Sequence, residues 1–362
     1  MIKRILIAAG GTGGHIIPAL AVAKRLQSAQ VEIHWLGTRQ GLEQQIVPPQ
    51  NIPIHYIAMP AIRGKGFKRL LAAPFHLLRA TWQTLKLIKQ LQPDVVAGFG
   101  GFVTAPAGLA AWLARKPLIL HEQNAVSGLS NRYLARLATQ VFQAFPNAFA
   151  AQYHAITSGN PVRVEIAQVL EPEMRFTGRQ APMRLLILGG SQGAALFNQI
   201  LPATLAALPF ELRPEVWHSA GKQYAKKTEA AYVKHGITAK VTEFITDMAG
   251  AYAWADLVIC RSGALTVAEL AAAGIGSILI PFPFAVDDHQ TKNAAWLANA
   301  DAAILIAQST LTEEKLSTLL LELSQDKSRL LQMAKQARQL AMPEATEVVA
   351  QGCLNVLVNI SP

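Results

Sequence analysis

Ile5-Leu6-Ile7-Ala8-Ala9-Gly10-Gly11-Thr12-Gly13-Gly14-His15 decides how this sequence is read. A short apolar run meets four glycines and one small hydroxyl, and a helix-like segment follows over residues 19–27. The run stops at Gly10, too soon for a signal-peptide core or a membrane span, so it reads as a buried first strand. The same order returns at Leu185-Leu186-Ile187-Leu188, then Gly189-Gly190-Ser191-Gln192-Gly193-Ala194, then a helix-like stretch over residues 196–207. In both copies the glycines let backbone approach a ligand closely. The first N–H groups of the helix point at that ligand with a favourable dipole, which is how a phosphate is held. The plain alternative for either loop is a tight strand-to-helix turn with no ligand.

Working outward, strands are expected at residues 32–36, 94–98 and 117–121, and again at 215–218, 240–243, 257–260 and 277–280. Their alternation with amphipathic helices predicts an α/β protein built of two doubly wound, Rossmann-like domains with parallel sheets. A length of 362 residues and a hydrophobic content of 51% suit two such cores. The expected divisions are 1–160, 161–342, and a C-terminal helix within 343–362 that can pack back on the first domain. Ligands of such folds belong at the carboxyl ends of the strands, here in the cleft between the domains.

Charge is unevenly spread. Residues 1–162 hold 16 Lys+Arg against 4 Asp+Glu, a net +12, while the remainder holds 17 against 19, a net −2. The first half therefore expects an anionic partner. No acidic residue occurs between Glu43 and Asp94, where Arg63, Lys65, Lys68, Arg69, Arg79, Lys86 and Lys89 alternate with large apolar residues. The apolar positions exceed what one buried stripe needs, so Leu71, Phe75, Leu78 and Trp82 are expected to dock on an anionic membrane surface. Nucleic acid is not the expected partner, since no recognition-helix or aromatic RNA-binding motif appears. The two cysteines, Cys260 and Cys353, form no CxxC pair and no zinc-ligand set.

The first glycine loop lacks the Lys-Ser/Thr of a P-loop, and Gly37-Thr38-Arg39 offers no acid to a dinucleotide ribose. In the second half, Arg261-Ser262-Gly263-Ala264-Leu265-Thr266-Val267-Ala268-Glu269 passes from a strand into a helix. Glu269 suits either a ribose diol or the helix dipole. Residues 281–293 put Asp287, Asp288, His289, Gln290 and Asn293 just beyond another strand, placed to bond sugar hydroxyls. A lone acidic pair with one His reads as a solvated loop, and no metal site or cofactor is expected. His15 follows the glycine loop directly and fits a general base, a partner for an acceptor anion, or a residue bonded to its own loop. Glu122, at a strand end, is the other candidate base.

Gly11-Thr12-Gly13-Gly14-His15, Gly100-Gly101-Phe102, His121-Glu122-Gln123-Asn124-Ala125, Ser158-Gly159-Asn160-Pro161-Val162-Arg163, the loop at 189–194, the stretch 264–269 and Asp288-His289-Gln290-Thr291-Lys292-Asn293-Ala294 occur in that order. Together they resemble the bacterial enzymes that add N-acetylglucosamine to undecaprenyl-pyrophosphoryl-MurNAc-pentapeptide in peptidoglycan synthesis (the MurG type), over nearly the whole chain. The resemblance implies a GT-B fold and an inverting, metal-independent glycosyltransferase using UDP-GlcNAc and lipid I. It also implies a peripheral place on the cytoplasmic face of the inner membrane. It implies that Arg163 and the backbone of Ile245 face uracil, that Ser191, Gln192 and Gly193 face the diphosphate, and that Glu269 faces the ribose. Ala264, Leu265, Thr266, Val267, Ala268 and Gln290 complete the implied donor site. Thr12, Gly13, Gly14 and Asn124 are implied binding positions of the first domain. Phe102 stands where many relatives have Tyr, so no role resting on that hydroxyl carries over.

Overall fold

The computed structural model describes residues 3–60, 67–179, 182–189 and 195–359. The chain divides into two compact units, one running to Arg163 and resuming at Met342, the other spanning Val164–Ala341. The divisions thus fall at 163/164 and 341/342, against the 160/161 and 342/343 read from the sequence.

The first unit is a seven-stranded parallel sheet of β1 (Arg4–Ala8), β2 (Glu32–Gly37), β3 (Ile54–Tyr56), β4 (Val95–Gly98), β5 (Leu118–Glu122), β6 (Gln140–Gln143) and β7 (Ile156–Thr157), in the order 3-2-1-4-5-6-7. Ile5 and Ile7 enter one buried cluster with Ile16, Val22, Leu26 and Trp35. Leu6 and Ala8 enter another with Ala80, Ile88, Val103 and Ala107. One strand thereby feeds two cores, which is why β1 reads as an unbroken apolar run. The helix Ala345–Asn359 joins the first of these clusters through Val349, Cys353 and Val356. It is tied to the helix Gly13–Ser28 by Arg25, whose Nε and Nη2 donate to the Glu347 carboxylate at 2.5 and 2.9 Å.

The second unit repeats the plan with β8 (Arg184–Leu188), β9 (Glu215–Ser219), β10 (Ala239–Thr242), β11 (Leu257–Cys260), β12 (Gly276–Leu279) and β13 (Ala303–Leu305), ordered 10-9-8-11-12-13. Four strands had escaped the sequence reading: β3, β6, β7 and β13. Each has at most four residues, too few to show a periodicity; β3, β7 and β13 are also edge strands with half-buried or exposed positions, and β6 is bracketed by Gln140 and Gln143. The first helix begins at Gly13, six residues before the apolar periodicity starts, because the glycines themselves form its opening turn.

In both sheets the strand order reverses beside the central strand, between β1 and β4 and between β8 and β11. A crevice at such a reversal is where doubly wound folds bind ligands.

Candidate functional site

In the first unit the strands flanking the reversal, β1 and β4, each run into a glycine turn. Gly101 has φ +80°, and a Cβ there would stand 2.1 Å from the Gly10 carbonyl oxygen. The two turns therefore touch backbone to backbone. Under the first turn lies Glu43, which is fully buried. Its carboxylate accepts the Gly11 N–H at 3.0 Å, the Thr38 N–H at 2.7 Å and the Thr38 hydroxyl at 2.9 Å. A Cβ on Gly41 would reach 1.9 Å from its Oε2, so Gly41 makes room for this carboxylate. One loop N–H expected to face a ligand is thus engaged within the protein. The capacity for an anion moves to the helix start at Gly13 and Gly14, where exposed Thr12 is the N-cap and its side chain makes no capping bond.

His15, half-buried, places Nδ1 2.8 Å from the Gln123 side-chain oxygen. The Gln123 amide nitrogen lies 3.0 Å from His121 Nδ1, and His121 Nε2 lies 3.1 Å from the Gly159 carbonyl oxygen. His121 and Gln123 are buried, and burial pushes the His121 imidazole down to about 4. Glu122 is buried too. One of its oxygens accepts from the Asn124 backbone and side chain at 3.0 and 3.2 Å, the other from the Gly128 N–H and the Asn131 amide at 3.0 and 2.9 Å. The Glu122 carboxylate thereby shapes the turn that carries half-buried Asn124.

In the second unit Ser191, Gln192 and Gly193 lie outside the described residues. After β11, Gly263 caps the helix Ala264–Ala273 in extended conformation with no side-chain cap. Thr266 and Ala268 are half-exposed, while Ala264, Leu265 and Val267 are buried, and the Val267 N–H donates to the Gly263 carbonyl at 2.9 Å. Glu269 is buried and accepts the Tyr252 hydroxyl at 3.1 Å. The Gln290 side-chain oxygen accepts the Phe282 N–H at 2.9 Å, which fixes which end of the amide faces that backbone. Ser262 holds this arrangement by donating to the Gln290 carbonyl at 2.8 Å, and Asn293 donates to the Ser262 carbonyl at 3.2 Å. The Arg261 guanidinium donates to the Ile280 and Pro281 carbonyls and packs over the Phe197 and Phe282 rings, so it serves as a brace. Ile245 is buried in this unit, and Arg163 is half-buried at the end of the first. Among the described residues no group of three or more His, Cys, Asp or Glu side chains is placed to hold a metal ion.

The helix Phe67–Leu91 separates its faces cleanly. Ala80, Thr84 and Ile88 are buried, whereas Phe75, Leu78 and Trp82 are 67%, 70% and 58% exposed. Arg79, Lys86 and Lys89 are exposed on the same outward side. The Leu71 side chain lies outside the described residues. Among those residues no helix is long and apolar enough to cross a membrane.

The sequence reading missed Glu43, the Gln123–His121 pair and Tyr252. Scarcity was the available signal for the first: residues 1–162 contain only Glu32, Glu43, Asp94 and Glu122 as acids. Each is engaged internally, Glu32 with Arg4 and Asp94 with the Arg4 N–H at 2.7 Å.

Two doubly wound units, each with a helix start opening at its strand reversal, are the architecture of the GT-B glycosyltransferases. The glycosyltransferase family 28 N-terminal domain matches residues 5–143, and the family 28 C-terminal domain matches residues 184–349. The chain belongs to glycosyltransferase family 28. It is 51% identical over 352 residues to a UDP-N-acetylglucosamine–N-acetylmuramyl-(pentapeptide) pyrophosphoryl-undecaprenol N-acetylglucosamine transferase of Marinobacter nauticus, covering 97% of each chain. A protein of the same name from Nitrosococcus oceani is 51% identical over 356 residues, covering 98% of this chain and 99% of that one. The crystal structure of Acinetobacter baumannii MurG matches with a TM-score of 0.84 at 43% identity, covering 98% of this chain and 99% of that one.

Proposed function

We propose that this chain moves N-acetylglucosamine from UDP-GlcNAc to the C4 hydroxyl of MurNAc in undecaprenyl-pyrophosphoryl-MurNAc-pentapeptide, converting lipid I to lipid II in peptidoglycan synthesis. The carrying observation is identity of 51% along almost the entire length of proteins bearing that name, spanning both units at once. In the reaction the acceptor oxygen bonds to the anomeric carbon with inversion. The bond from that carbon to the β-phosphate oxygen breaks, and its electron pair leaves with UDP. A base must take the hydroxyl proton, and fixed dipoles must receive the leaving charge.

The first unit takes the acceptor. Its support is the open helix start at Thr12, Gly13 and Gly14, with Asn124 on a turn beside it. Between the two candidate bases we favour His15. Both Glu122 oxygens are occupied by donors of its own loop, whereas among the described residues His15 is bonded through Nδ1. The second unit takes the donor: Glu269 bonds the ribose diol and the Gln290 NH₂ bonds the sugar. The stretch from Ala264 to Ala268 lines that site, the backbone of Ile245 receives uracil together with Arg163, the last residue of the first unit, and Ser191, Gln192 and Gly193 cradle the diphosphate. The helix Phe67–Leu91 rests on the anionic cytoplasmic leaflet, giving a peripheral location at the inner membrane.

The test is transfer from radiolabelled UDP-GlcNAc with and without a lipid I analogue. The expected result is labelled disaccharide-lipid only when the acceptor is present. Turnover of UDP-GlcNAc without acceptor would instead mark a sugar-nucleotide epimerase, which shares the fold but has no use for a basic, apolar first unit.

A further inference from the structure

His15 is neither isolated nor bonded at random. Its Nδ1 ends a chain of three hydrogen bonds that begins at a backbone carbonyl, and each bond fixes the direction of the next. The Gly159 carbonyl can only accept, and it takes the Ser158 hydroxyl at 2.9 Å as well as His121 Nε2 at 3.1 Å. His121 therefore carries its hydrogen on Nε2 and presents a lone pair at Nδ1. That lone pair requires a donor, so the NH₂ of Gln123 must face it, 3.0 Å away. The Gln123 oxygen is then left toward His15, 2.8 Å from Nδ1, where it can only accept. His15 must hold its hydrogen on Nδ1, and its Nε2 is left with the lone pair. A flipped Gln123 amide would set the His121 Nε2 lone pair against the Gly159 carbonyl, so the opposite polarity is excluded.

The surroundings protect this order. His121 stacks on Phe99 with ring centroids 5.6 Å apart, and both are buried. Its low affinity for a proton keeps it neutral at physiological pH, so the donor and acceptor roles along the chain do not scramble. Gly100, at φ +98°, leaves room for the contact: a Cβ there would stand 2.5 Å from His15 Nδ1 and 3.2 Å from the Gln123 oxygen.

We propose that Gln123 and His121 are positioning residues that lock His15 in its Nδ1–H tautomer, so that Nε2 is the atom that takes the proton from the acceptor hydroxyl. This inference rests on the reading of His15 as the base. A histidine held by its neighbour in the wrong tautomer is a poor base even when its position is unchanged.

The experiment uses the full chain with ¹⁵N-labelled histidine, since imidazole nitrogen shifts distinguish the two neutral tautomers, and His15→Ala assigns the signal. The wild-type spectrum is decisive by itself: Nδ1–H at His15 is expected, and Nε2–H there overturns the lock. Gln123→Met, close to isosteric but without the amide, should shift His15 toward Nε2–H. It should lower kcat by roughly 10- to 100-fold, less than loss of the base itself, with the KM for UDP-GlcNAc unchanged. Gln123→Glu, which can still accept from Nδ1, should keep the wild-type tautomer and recover part of the kcat. In the His15→Ala background Gln123→Met should cost nothing further, because both act through one group. A full additive loss there would mark Gln123 as merely structural. If His15→Ala keeps wild-type kcat, the base assignment fails. If it loses kcat while Gln123→Met does not, the base stands and the positioning role falls.

Discussion

Glu43 accepts the backbone N–H of Gly11 at 3.0 Å from a fully buried position, so the first glycine turn is closed from below by a carboxylate. The same group takes both donors of Thr38, and Gly41 gives it space. Glu43→Gln keeps the shape but must aim an NH₂ at one of three donors. Leaving a buried donor unpaired costs about 1–3 kcal/mol. The variant should show a lowered thermal midpoint and reduced transfer to a lipid I analogue, with UDP-GlcNAc affinity intact. A wild-type midpoint would mean that the turn stands without this carboxylate.

Glu269 and Tyr252 carry a second prediction. Glu269→Ala should weaken UDP-GlcNAc binding by roughly 1.5–3 kcal/mol, the range for hydrogen bonds to a charged group. Tyr252→Phe removes the 3.1 Å bond to this carboxylate while leaving the carboxylate in place, so it should act in the same direction and less. Calorimetry on the full chain decides, and unchanged affinity in the alanine variant removes Glu269 from the donor site.

The repeated strand, glycine turn and helix made the two sheets legible, because Ile5 and Ile7 face one core and Leu6 and Ala8 the other. A strand with five consecutive apolar residues buried on both faces stands out in a sequence. Short edge strands such as Ile156–Thr157 can, since they carry no periodicity. At the candidate site the residues that follow a glycine turn into a helix were readable, His15 directly after Gly14 and Glu269 in the helix after Gly263. Their partners were not. Glu43, Gln123 and Tyr252 come from other segments, separated from Gly11, His15 and Glu269 by 32, 108 and 17 positions. No local pattern encodes contacts of that kind, although the rarity of acids in the first half points at Glu43.

Two buried histidines predict the pH response of stability. Burial lowers His121 to about 4 and His218, whose Nδ1 lies 2.9 Å from the Tyr232 hydroxyl, to about 3. Below about pH 6.5 the unfolded chain binds protons at these positions while the folded chain does not. Stability is therefore complete above that pH and falls as pH drops toward the folded values, by about 1.4 kcal/mol per pH unit for each group. Burial moves His55 in the same direction. Denaturant midpoints should decline between pH 6.5 and 5, above the range where carboxylates titrate. Midpoints that stay level across this window would mean that these imidazoles are not held neutral.

The outward face of the helix Phe67–Leu91 gives the proposed membrane contact a test. Its buried side, with Ala80, Thr84 and Ile88, already satisfies the core. Phe75, Leu78 and Trp82 are therefore surplus to folding, and together with Arg79, Lys86 and Lys89 they form one exposed apolar and basic stripe. The Lys86 ammonium sits 4.3 Å from the Trp82 ring centroid, so charge and apolar surface meet at one place. Only four acids stand against 16 Lys+Arg among residues 1–162, so this field is little offset. Binding to vesicles containing phosphatidylglycerol should exceed binding to neutral ones and weaken with salt. Arg79→Gln with Lys89→Gln should reduce the salt dependence, whereas Phe75→Ser and Trp82→Ser should weaken binding at every salt concentration. Each serine should cost about tenfold in partitioning, the equivalent of roughly 1.4 kcal/mol of lost apolar burial. Co-sedimentation separates the contributions. Equal binding to both vesicle types removes the electrostatic part, and full binding by the combined serine variant removes the apolar part.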